Sequence, residues 1–283
     1  MRRALAVGAA LAIAATAVAT AVGSGEVASQ GERLLRTAAE SPPPGRYRFE
    51  IVPDSAGVQG CFSVRRRVSG TVDRFVQRSG IEVDPVGVAA IIADGATYVH
   101  RNALVGWPIR TEWVMLSAPL EVGMTDAWTT ALGADLAGLV LASALPDPPS
   151  ALVAAALQAM RSAKILDPQP GDDPGTQRIE VDIDATKLAQ DPSEAAAAVE
   201  EEEAPLTLVL TVGSNGEITT VSARLSPPAT ASDDEAFGYR ITYQSDESVA
   251  VPALPDAADV TPIEAVPIPE SPLPPDIAWT VGP

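Results

Sequence analysis

Apolar residues recur at every second position in several stretches of the chain, and a period of two predicts strands with one buried and one solvated face. Tyr47, Phe49 and Ile51 form one such set; Phe62, Val64 and Val68 form another, interrupted at Arg66. An apolar run from Val86 to Ala93 meets Asp94-Gly95 and resumes at Thr97-Tyr98-Val99. Asp-Gly accepts the positive φ that a tight turn requires, so this pair predicts a hairpin. The region of Trp107, Trp113 and Val114 reads as one more strand. Further on, Ile179, Val181 and Ile183 alternate with Glu180, Asp182 and Asp184. Leu206 to Val212 and Ile218 to Leu225 flank Ser214-Asn215-Gly216, a second hairpin signal. Phe237, Tyr239, Ile241 and Tyr243 share one face of a final strand.

Elsewhere the period is helical. Glu32 to Glu40 places Leu34, Leu35 and Ala38 on one side and is stopped by Pro42-Pro43-Pro44. Ala134 to Leu145 and Ser150 to Ala163 predict a helical hairpin, with Pro146, Pro148 and Pro149 between its arms and Ser150 as N-cap. Leu152, Val153, Ala156, Leu157 and Met160 make its apolar stripe, which must cover a sheet face or its open end. A further helix is expected from Pro192 to Glu202. These elements together predict an α+β protein with an antiparallel sheet.

Composition narrows the chemistry. A chain of 283 residues with one His and one Cys lacks the commonest ligands of a zinc site and the usual catalytic dyads. No metal site and no cofactor are expected, and the protein is read as a non-enzyme. Residues 1–112 carry 13 Arg and 10 acids, whereas residues 113–283 carry 6 Lys plus Arg and 27 acids, giving a net charge of −18. That field has the wrong sign for nucleic acid.

The termini set the organisation. Arg2 and Arg3 precede an uncharged Ala-rich stretch from Ala4 to Gly23, the pattern of an export signal and also just long enough to span a bilayer. Residues 1–29 are therefore a signal peptide or membrane anchor, the cleaved signal being favoured because Ala and Gly drive insertion weakly. Ala19-Thr20-Ala21 and Val27-Ala28-Ser29 are candidate cleavage motifs. The expected location is extracytoplasmic, secreted or anchored at the cell envelope. The lone Cys61 cannot form an internal disulfide, so the core must hold without covalent staples. Residues 30–252 form the domain, and 253–283 an acidic, Pro-rich tail. Because the last 34 residues hold nine Pro, five acids and no Lys or Arg, the tail is expected to stay extended and largely disordered.

The order of a first helix, strands, a helical insertion and further strands resembles the LppX/LprG-type branch of the LolA-like lipoprotein-carrier superfamily, common in actinobacteria. The resemblance rests on Ala93-Asp94-Gly95-Ala96-Thr97-Tyr98-Val99, on Leu145-Pro146-Asp147-Pro148-Pro149, and on the acidic strand Arg178 to Asp184. The hairpin Leu208 to Val221 and the closing Tyr239-Arg240-Ile241-Thr242-Tyr243 with Val249-Ala250-Val251-Pro252 add to it, for a coverage of roughly residues 30–260. It implies a curved antiparallel sheet, a half-barrel covered by the helical hairpin, with an apolar cavity that holds acyl chains. The chain departs from that pattern in lacking a cysteine at the end of its N-terminal segment, which puts lipid attachment in doubt.

On this reading the candidate cavity residues are Tyr47, Phe49, Phe62, Val64, Arg66, Tyr98, Leu152, Leu157, Met160, Phe237 and Tyr239. Arg66, pointing inward with Phe62 and Val64, is a candidate for a lipid phosphate, against the plainer reading of an ion-paired or sheet-end Arg. Asp182, Asp184 and Thr186 start like a calcium loop, but Lys187 stands where Gly is required, and the acids read more simply as a solvated strand face. His100 has no second His or Cys beside it and is not expected to be catalytic. The expected function is carriage of a lipid or lipid-like hydrophobic ligand, with membrane proximity. The alternative is a surface-tethered interaction or structural module of the same fold without a cavity. Ligand identity, protein partner and oligomeric state stay open.

Overall fold

A computed structural model describes residues 29–53, 67–117, 122–141, 145–170, 173–184, 206–225 and 237–270. In chain order the elements are α1 (Gln30–Glu40), β1 (Arg46–Pro53), β2 (Val68–Asp73), β3 (Arg78–Val83), β4 (Gly87–Ala93), β5 (Ala96–His100) and β6 (Trp113–Leu116). The helices α2 (Val122–Leu132), α3 (Ala134–Leu141) and α4 (Pro149–Ala159) follow. The chain then returns to strands with β7 (Met160–Leu166), β8 (Gln177–Ile183), β9 (Leu206–Val212), β10 (Ile218–Leu225), β11 (Phe237–Ser245) and β12 (Val260–Pro262).

All twelve described strands belong to one sheet in the order β12-β6-β5-β4-β3-β2-β1-β11-β10-β9-β8-β7. Only β12 runs parallel to its neighbour, pairing Thr261 with Val114 of β6. The protein is therefore α+β with a large open mixed sheet. The helical segment connects β6, near one edge of the sheet, to β7 at the other.

Register carries the alternation of period two across the sheet. Tyr47, Phe49 and Ile51 of β1 stand opposite Val72, Gly70 and Val68 of β2 and, on the other side, Ser245, Tyr243 and Ile241 of β11. The same face continues through Ile81 and Val83, through Val99 and Val114, and outward through Leu208, Leu210, Ile179 and Val181. These side chains and the buried residues of the helices form one core cluster. Gly70 lacks a side chain where Phe49 lies; a Cβ there would meet the Phe49 ring and come within 2.8 Å of the Gly80 carbonyl oxygen.

Both expected hairpins form. Asp94 and Gly95 take φ 53° and 75°, the pair of positive angles that a two-residue turn needs, and Gly216 takes φ 83° in the second. The first helix also forms, capped by the Ser29 hydroxyl, which accepts the Glu32 N–H at 3.1 Å.

Several expectations need correction. Trp107 lies outside the strand expected around it: its N–H donates to the Leu104 carbonyl at 3.1 Å in a turn, and β6 begins only at Trp113. Leu145, expected to end the first helical arm, lies beyond α3 and is not helical. The stretch Ser150 to Ala163 is not helical throughout: α4 ends at Ala159, and Met160 is extended, opening β7 opposite Ile183. Pairing with β8 accounts for this, since Asp184 N–H donates to the Ala159 carbonyl at 2.8 Å and draws the chain into the sheet. Nor do the expected arms of the helical hairpin pack chiefly on each other. α4 packs on α1, which buries Leu35 and Ala38, while α3 packs on α2. Finally, the tail does not run free through residue 270. Pro252 lies over Gly80 on the face opposite Tyr47, β12 pairs with β6, and Ile263 and Val266 enter the core cluster.

Candidate functional site

The centre of the sheet is less tightly closed than its surroundings. On the helix-covered face Tyr47, Val72 and Ile81 have no exposed surface, as expected for interior strands. Yet Tyr239, Ile241 and Tyr243 of β11, which has partners on both sides, each retain 8 % exposure. Ile51, directly opposite Ile241, is half-buried. These four side chains are the least covered part of an apolar strip over β1 and β11, and α4 packs against β10 beside it.

One end of this strip is polar. The Tyr47 hydroxyl donates to the Pro146 carbonyl at 2.6 Å, tying β1 to the connection between α3 and α4. The Tyr47 and Tyr243 rings lie 6.3 Å apart, tilted by 57°. Burial raises both phenols well above their ordinary range, so they remain neutral hydroxyls. Asp147, next to Pro146, is pushed up to about 6 by burial, an effect that the Arg74 guanidinium opposes. Arg74 reaches the Tyr47 hydroxyl as well. With the Tyr47 hydrogen committed to Pro146, the arrangement can offer the Tyr243 hydroxyl and a partly neutral Asp147 carboxyl to an oxygen-bearing head group, beside an apolar wall. Ser79, on the same face, has a buried hydroxyl without a hydrogen-bond partner among the described residues. So do the indole nitrogens of Trp107 and Trp128, whose rings lie 5.0 Å apart.

The residues chosen from the sequence are distributed unevenly. Tyr47, Phe49 and Tyr239 stand on this helix-covered face. Leu152 is buried on α4, and Leu157 and Met160 are half-buried against the same core. Phe237 opens β11 opposite Leu225. Tyr98 is not brought to this strip: it lies on the other face, opposite Ile91 and Met115. Phe62, Val64 and Arg66 lie outside the described residues. Ile51, Ile241 and Tyr243 complete the strip and are legible as members of the same alternating sets. Asp147 stands in the sequence only as part of Leu145-Pro146-Asp147-Pro148-Pro149, and nothing there pairs it with Arg74, because their proximity depends on tertiary packing.

Other candidates have structural roles. His100 Nδ1 accepts the Asn102 N–H at 3.2 Å, capping a short 3-10 turn, and its Nε2 lies 3.3 Å from Glu112. Asp182 accepts the Ser162 hydroxyl at 2.5 Å, and Asp184 faces Arg161 at 3.6 Å. Among the described residues no group of three His, Cys, Asp or Glu side chains could hold a metal ion. No described helix is long and apolar enough to cross a membrane. A groove of about 260 Å³ at the β7–β8 turn, walled by Ile165, Leu166, Pro168 and Arg178, contains none of the residues chosen from the sequence. No protein-family model matches the chain, and comparison with curated proteins also gives no match.

Proposed function

We propose that the protein is an exported, non-enzymatic member of the LppX/LprG-type, LolA-like carriers. On this reading the sheet curves into a half-barrel, the helices close it, and a lipid or lipid-like ligand lies between them in a crevice over β1 and β11. The observation that carries the proposal is the residual exposure of Tyr239, Ile241 and Tyr243, with half-buried Ile51, at the centre of an otherwise closed face. The Tyr243 phenol and Asp147 at one end would receive the polar head. Native mass spectrometry of the full chain purified from its own host is expected to show a co-purifying lipid. It is also expected to show loss of that adduct in Ile241→Trp, which fills the crevice. A wild-type protein that is consistently ligand-free overturns the reading.

A second reading, a surface-tethered interaction or structural module of the same fold without a ligand cavity, is favoured by the small size of that exposure, below a tenth for Tyr239, Ile241 and Tyr243. N-terminal sequencing of the mature protein separates the tethered form: a start near Gln30 excludes a retained anchor.

A further inference from the structure

The turn between β2 and β3 displays two large apolar side chains, Phe75 at 72 % and Val76 at 51 % exposure. It is held firmly from beneath. Asp73, only 4 % exposed, accepts the Phe75 N–H at 2.9 Å and the Val76 N–H at 3.3 Å, and also binds Arg46 Nε at 2.8 Å. Arg74 N–H donates to the Gly45 carbonyl at 2.8 Å, and the Gln77 side-chain amide closes the turn on the Arg74 carbonyl at 2.7 Å. The Phe75 ring rests where a side chain on Gly45 would collide with it, and the Arg46 guanidinium stands 5.9 Å from its centroid. The ring is thus fixed in an outward position, and its exposure is built into the turn.

The surroundings narrow what it could meet. Two side chains offer far less than the roughly 800 Å² per partner of a standard protein interface. They suit insertion among lipid head groups, where binding scales with the apolar area buried. Arg46 is paired with Asp73, Arg48 with Asp246 at 2.9 Å, and Arg74 stands near Asp147, while Arg78, opposite Asp73, has no acidic partner among the described residues, so the base of the tip carries one cation in excess. An anionic surface would be opposed by the net charge of −18, whereas a zwitterionic one would not.

We propose that the Phe75–Val76 turn is a membrane-docking tip that enters the interface of a zwitterionic phospholipid bilayer. This surface is separate from the crevice, and the two stand or fall independently. The test uses the full chain and phosphatidylcholine vesicles, with the readout placed at the tip because the apolar stretch Ala4 to Gly23 could bind vesicles by itself. Phe75→Trp is expected to add emission that shifts to the blue on vesicle addition and is quenched by brominated phosphatidylcholine, beyond the background of the four native Trp. Added emission that stays solvent-like overturns the proposal. Val76→Ser in the Phe75→Trp background is expected to lose most of the added blue shift and bromine quenching, while keeping the melting temperature and any co-purifying lipid of the Phe75→Trp protein. Blue shift and quenching that do not change overturn the proposal, and so does tip-dependent self-association without vesicle binding, which would make the occupant a second copy.

Discussion

Asp147 ties a single side chain to a pH dependence. Burial holds its folded pKa at about 6, above the ordinary aspartate value, so folding favours the protonated form. The stability this group contributes is present in full below about pH 4, is lost as pH rises to about 6, and is absent above it. Asp147→Asn removes the charged form and is expected to raise stability at pH 7.5 by about 1–2 kcal/mol, after discounting for solvent screening. That corresponds to roughly 3–6 °C in melting temperature. At pH 4 the two proteins should melt together, so a variant that melts equally far from wild type at both pH values refutes the assignment. Gly70 makes a second residue-scale case. Gly70→Ala must displace the Phe49 ring or the Gly80 backbone and is expected to cost about 2 kcal/mol or more in denaturant unfolding. Gly70 does not announce itself in the sequence, and Asp147 stands there only within Leu145-Pro146-Asp147-Pro148-Pro149, because both effects come from partners distant along the chain. Tyr47 and Phe49 did, since alternation alone specifies which side of a strand is buried.

At the scale of elements, turns with intrinsic backbone demands were the most legible. Asp94-Gly95 and Ser214-Asn215-Gly216 were read from residue type and form as expected, with positive φ at Asp94, Gly95 and Gly216. The cost at Gly95 is conformational only, since an added Cβ would meet nothing within 4 Å. Gly95→Ala is therefore expected to cost about 1 kcal/mol, less than Gly70→Ala, and denaturant unfolding of the two variants side by side checks the order. The end of α4 was not legible. Leu157 and Met160 continue the apolar stripe of the helix, and Ala163 extends its small-residue composition; only pairing with β8 turns Met160–Leu166 into a strand. The helical partner of α4 was hidden for a similar reason. Leu35 and Ala38 of α1 supply the surface it packs on, from more than a hundred residues upstream. The Phe75 tip lay in a polar stretch between two strands, where sequence shows an apolar residue but not whether it is tucked in or displayed.

On the scale of the whole molecule, the C-terminal segment decides how closed the sheet is. Its composition pointed to a solvated arm, since Pro262, Pro267 and Pro269 fix φ and lack an N–H. The prolines do exclude a central strand, and β12 is a three-residue edge strand. They do not exclude docking, because two apolar side chains suffice to anchor a short segment. Ile263 is 3 % exposed and Val266 6 %, both in the core cluster, and the Thr261 and Thr111 hydroxyls lie 2.5 Å apart where β12 meets β6. Burying one such aliphatic side chain contributes about 1.5–3 kcal/mol, and cutting it back to Ala costs about 2–5 kcal/mol. Ile263→Ala is therefore expected to lower the melting temperature by about 6–15 °C. Leu254→Ala, at a position 37 % exposed in the same segment, should change it by no more than about 2 °C. Removing residues 257–283 should lower it at least as far as Ile263→Ala, because it also strips β12 from the open edge of β6. Equal melting of the truncated and full-length proteins would show that the segment contributes nothing to the stability of the sheet.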